Sequence, residues 1–107
     1  MKIKVGDHVK IQPEKMAKIA LATTARAQLD LYCLAPGQSQ KPHVHGDQDK
    51  ICYVLEGRGR FTLDDEADVL EAGEALVARA GASHGLVNDG PDRLVVLVVV
   101  TPPPPHA

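Results

Sequence analysis

Glycine, proline, asparagine and aspartate interrupt the 107-residue chain every several residues, leaving only short apolar runs between them. Such punctuation leaves little room for a long amphipathic helix and favours many short strands joined by turns. Residues 8–11 (HVKI) read as a first strand, stopped by Gln12-Pro13-Glu14. MAKIALATT (16–24) reads mostly as strand, although its alanines also permit a helix. ARAQLDLYCLA then alternates, with Leu29, Leu31 and Cys33 on one face and Gln28, Asp30 and Tyr32 on the other, until Pro36-Gly37. KICYVLE, RFTL, ADVLE, ALVA, HGLVN and RLVVLVVVT supply further strands. Asp64-Asp65-Glu66 and Asn88-Asp89-Gly90-Pro91 read as turns. The pattern predicts an all-β sandwich or barrel in one domain spanning 1–107. Its core runs over about 16–101, and the proline-rich tail 102–107 is extended.

Several function classes are disfavoured at once. Lysine and arginine total 12 against 14 aspartates and glutamates, so the net charge of −2 offers no footprint for nucleic acid. Bases would have little to stack on, since the aromatics are Tyr32, Tyr53 and Phe61 alone. No apolar run approaches the roughly 18 residues of a membrane helix, and MKIKVGDHVK has no signal-type apolar stretch. Cys33 and Cys52 read as reduced core thiols rather than a disulfide framework, so the expected location is cytoplasmic.

The chemistry lies in GQSQKPHVHGDQDKICYVLEG, residues 37–57. In extended chain, His43 and His45 share a face and can converge on one ion if His84 joins them from another strand. The spacing of Gly37, His43-x-His45 and Gly57 resembles the first motif of the cupin superfamily. Gly73, Gly81, His84 and Asn88 resemble the second, and together the two cover about residues 28–101. The resemblance implies a double-stranded β-helix (jelly-roll) barrel, often a homodimer, with one divalent metal inside. It also implies ligands at both histidines of the first motif, at its glutamate and at the second motif's histidine, hence His43, His45 and His84.

Two positions depart from that pattern. Arg79 stands where the second motif commonly has proline, and Lys50 occupies the glutamate position. A protonated lysine has no lone pair and cannot ligate a metal. Three arrangements remain open: a three-histidine site for Fe, Mn, Ni or Zn; a site completed by Asp47 or Asp49 through a bulge, or by Gln48 on the face of Lys50; or a metal-free pocket for an anion. Strand parity turns Lys50, Cys52 and Val54 inward, and Tyr53 and Leu55 outward. Lys50 is expected to snorkel to the barrel mouth and pair with Asp47 or Asp49. Cys52 is expected to be inert core or else a thiol beside the site, and Asn88 a turn or strand-end residue rather than a ligand.

A metal-binding cupin for a small organic ligand is the leading expectation, with dioxygenase (or other oxygenase) and isomerase as the reaction classes. Gln48, Lys50 and Cys52 are the candidate pocket residues, and Lys50 is suited to hold a substrate carboxylate. The alternative is a non-enzymatic binding or sensing module. Exposed edges around strands as apolar as LVVLVVV also predict a homodimer.

Overall fold

A computed structural model describes residues 1–44 and 46–104. A single 3₁₀ turn, Val5–His8, precedes β1 (Ala17–Thr23), β2 (Gln28–Leu34), β3 (Ser39–Val44), β4 (Asp49–Glu56) and β5 (Arg58–Leu63). These are followed by β6 (Glu66–Glu71), β7 (Ala75–Ala78), β8 (Ser83–Val87) and β9 (Leu94–Thr101). One sheet runs β1-β2-β9-β4-β7 and the other β3-β8-β5-β6, every pairing being antiparallel. This is the expected double-stranded β-helix. No helix among the described residues is long and apolar enough to cross a membrane.

The most β-branched run forms the centre of the larger sheet. Strand β9 pairs with β2 on one side and β4 on the other. It sends Leu94, Val96, Val98 and Val100 between the sheets, where Tyr32, Leu34, Cys52, Val54, Phe61 and Leu86 meet them. Burying each such aliphatic side chain stabilises by roughly 1.5–3 kcal/mol. Alternation in β2 is also as read, but both of its faces are covered. Leu31 and Cys33 form a second cluster with Ala17 and Val95, against which Val5 and Val9 pack.

That second cluster redirects the N-terminal segment. The expected strand over 8–11 is absent: His8 closes the 3₁₀ turn and the next residues join no ladder. Val5 and Val9 act as a cover laid over the outer side of the sheet, so apolar burial set this segment's path instead of pairing. At the other end, Pro102–Pro104 leave the sheet after β9. Residues 105–107 of the tail, with His106, lie outside the described residues.

The motif glycines have a backbone reason. Among the described residues, Gly37, Gly57, Gly73 and Gly81 are the glycines with positive φ, between 80° and 92°, a region that other residues rarely enter. Asn88 directly follows β8, the strand-end position expected of it. It is fully buried, and its amide nitrogen donates to the carbonyls of Leu34 (3.0 Å) and Asp92 (2.9 Å). Its Oδ1 accepts from the Gly90 amide at 3.1 Å, and its backbone bonds to Gln38 and Gly37. One side chain thereby ties the end of β2 to the β8–β9 turn. Replacing Asn88 by Asp puts a carboxylate against two buried carbonyls. Asn88→Asp is expected to lower the unfolding free energy by roughly 2–4 kcal/mol in urea titration, with the m-value unchanged.

Candidate polar site inside the barrel

Strands β3 and β8 bring two candidate ligands together. His43 and His84 are direct cross-strand partners, with ring centroids 4.5 Å apart and planes inclined by 53°. The register slips between Gln40 and His43, so that Lys41 and Pro42 bulge opposite Gly85. A Cβ on residue 85 would stand 2.8 Å from the Gln40 carbonyl oxygen and from the Pro42 nitrogen. Only glycine lets the bulge close this tightly.

The backbone also orients both rings. Nδ1 of His43 lies 3.0 Å from the Lys41 carbonyl oxygen, and Nδ1 of His84 lies 3.3 Å from that of Ala82. A carbonyl only accepts, so each Nδ1 is the N–H donor, which in the neutral ring leaves the lone pair on Nε2. A backbone carbonyl on the far nitrogen is the arrangement that fixes a metal-ligating histidine. His45, the third expected ligand, lies outside the described residues. Among the described residues, no group of three or more His, Cys, Asp or Glu is placed to hold a metal.

The two carboxylates of this stretch are engaged or exposed elsewhere. Asp49 faces outward on β4 and accepts the Ala80 amide at 2.8 Å; Asp47 is exposed. Gln48 is buried, but it lines a cavity of about 430 Å³ with Gly46, Asp47, Pro102 and Pro103.

Lys50 does not snorkel. It is 2% exposed and faces inward with Cys52 and Val54. Its Nζ donates to Gln40 Oε1 at 3.3 Å and lies 4.8 Å from the centre of the Tyr32 ring. A hydrogen bond and a cation–π contact thus replace the expected pairing with Asp47 or Asp49. Burial first, and the neighbouring Lys18 as well, push the Lys50 pKa down to about 8, with Cys52 and Asp30 opposing. Burial raises the Cys52 thiol despite the pull of Lys50, so Cys52 stays protonated and inert, as a core cysteine does.

Three members of this interior were not singled out as site residues. Gln40 reaches both Lys50 and the Tyr32 hydroxyl. Burial raises the Tyr32 phenol well above its ordinary range, against the lowering effect of Gln40. Asp30, 1% exposed, receives the Gln28 amide on both oxygens at 2.9 and 3.0 Å. Parity with Leu34 could have marked Asp30 and Tyr32 as inward, whereas the bulge hid Gln40.

Comparison with known proteins places the fold. The family model described as "Cupin domain" matches residues 30–100. The chain is similar to the crystal structure of TT1209 from Thermus thermophilus, at 43% identity and TM-score 0.93, over 97% of this chain and 100% of that one. It is also 36% identical over 75 residues to tetracenomycin polyketide synthase protein TcmJ of Streptomyces glaucescens, spanning 68% of this chain and 50% of that protein. A third relative, the oxalate-binding protein of Thermotoga maritima, is 33% identical over 67 residues, 63% of this chain and 55% of that protein. The chain therefore spans about half the length of these two relatives.

The depressed Lys50 pKa makes a signed prediction. In the native state Lys50 binds its proton less readily than the ordinary 10.5, so the unfolded chain holds more protons between about pH 8 and 10.5. Stability contributed at this position therefore rises with pH across that window, and below it the full cost of about 3 kcal/mol stands. Lys50→Met is expected to be more stable than the parent by roughly 1–3 kcal/mol at pH 7. Urea titrations at pH 7 and pH 10 should show that gap narrowing.

Proposed function

The chain belongs to the cupin family, and from that premise we propose that it is a small metal-binding cupin whose barrel receives a small organic ligand. The carrying observation is the His43–His84 pair, two imidazoles side by side with both Nδ1 atoms engaged by backbone carbonyls. Such a donor set suits Fe, Mn, Ni or Zn, with His45 as the third imidazole. Lys50 is excluded as a ligand while protonated.

When bound, the metal supplies Lewis acidity and open coordination positions, which suit an oxygenase or an isomerase. The chain's own residues hold and shield the ligand. Lys50 presents an ammonium to a carboxylate, steadied by Gln40 and the Tyr32 ring. Val54, Phe61, Leu86 and Val98 keep water from the interior. The name of the Thermotoga relative supports a carboxylate ligand.

A second reading is favoured by Lys50 itself: a metal-free binding or sensing module in which the buried cation selects an anion. As for assembly, the outward face of β4 and β7 exposes Ile51, Tyr53, Leu55 and Val77, with Ile51 and Val77 paired across the ladder. That face suits a homodimer contact. The two free thiols, Cys33 and Cys52, suit a reducing cytoplasm.

Elemental analysis of untagged protein purified without chelator tests the metal reading. The expected result is near-stoichiometric metal in the parent and its loss in His84→Ala, with the β-sheet circular dichroism retained. Protein that takes up none of Fe(II), Mn(II), Ni(II) or Zn(II) contradicts that reading. Stabilisation by small carboxylates that Lys50→Met abolishes would then establish the metal-free module.

A further inference from the structure

Two ammonium groups converge on one aromatic ring. Lys18 and Tyr32 are cross-strand partners on β1 and β2, and Lys18 Nζ lies 5.6 Å from the ring centre. Lys50 approaches the same ring at 4.8 Å from the barrel interior. Asp30 is the one carboxylate among the influences acting on Lys50, and both of its oxygens are already engaged by Gln28.

The same edge carries a cleft. Between the segment entering β1 and the start of β3 lies a cavity of about 440 Å³, lined by Gln12, Lys15, Met16, Lys18, Ser39 and Gln40. Its wall holds two lysines, a serine hydroxyl and glutamine amides, with Met16 packed against the apolar core. Among the described residues, no carboxylate lines it. Behind it, Gln40 accepts from the buried Lys50 and bonds the Tyr32 hydroxyl, so the cleft is backed by a third lysine through a fixed amide. Two lysines, a serine hydroxyl and glutamine amides around one cleft, with Met16 in its wall and no carboxylate among its lining residues, are the chemistry that suits a multivalent oxyanion.

We propose that the cleft between the start of β1 and the start of β3 is a binding site for a small multivalent oxyanion, a di- or tricarboxylate or a phosphate ester, held by Lys15 and Lys18. None of its lining residues is a candidate metal ligand, so the site stands apart from the metal reading and can fail or hold independently of it.

Pyrophosphate and citrate serve as probes of the two anion sources. Each is titrated at constant ionic strength into ¹⁵N-labelled full chain, following amide shifts. The comparison set is the parent, the Lys15→Gln/Lys18→Gln variant, a control Lys2→Gln/Lys4→Gln variant and His84→Ala. The expected result is saturable shifts concentrated on Met16, Lys18, Ser39 and Gln40 with at least one probe. Affinity should fall about tenfold or more in the cleft variant, equivalent to 1.4 kcal/mol, and change little in the control and in His84→Ala. The probe that saturates names the class. Shifts that never saturate, that spread over all surface lysines, or that survive in Lys15→Gln/Lys18→Gln overturn the site.

Discussion

The single displaced register between Gln40 and His43 is the constraint on which the interior depends. In a regular strand, residues three apart face opposite sides. Here the bulge over Gly85 lets Gln40 and His43 both point inward. Gln40 can then reach across to Lys50 on the other sheet, while His43 meets His84 on its own. Without the bulge, one of these contacts would have to be given up. The permissive residue is Gly85, whose missing side chain makes room for the backbone of β3.

That bulge joins two kinds of chemistry inside one apolar shell. One wall offers imidazole nitrogens oriented by backbone carbonyls. The other offers a lysine held under the Tyr32 ring, weakened as a base by its own burial. A buried cation costs stability unless something compensates for it. Here the compensation is partial: one hydrogen bond, one aromatic face and the nearby Asp30. The cost is what makes Lys50 a position in the interior where stability depends on pH. Around it stand the apolar framework of β9 and the Asn88 hydrogen bonds.

Much of this was legible in the sequence, because two simple signals governed it. Turn residues set the strand boundaries, and the glycines of both motifs are those that the backbone requires at positive φ. Period-two alternation placed Lys50, Cys52 and Val54 inward and Tyr53 and Leu55 outward. Legibility stopped where a tertiary contact overrode local pattern. HVKI has strand character, yet Val9 and the preceding Val5 are spent covering Leu31 and Cys33. Lys50 has the length to reach solvent, yet Gln40 and Tyr32 hold it inside, and neither partner is close to it in sequence. The inward turn of Gln40 depends on a bulge whose cause, Gly85, lies 45 positions further along the chain.

The central claim is that the fold presents two imidazole lone pairs side by side within the barrel. Long-range ¹H–¹⁵N correlation spectra of the histidine rings test it directly, before and after adding Zn(II). The account predicts that His43 and His84 both carry the proton on Nδ1, and that both Nε2 resonances move together as zinc is taken up. Protons on Nε2, or ring signals indifferent to zinc, would contradict it.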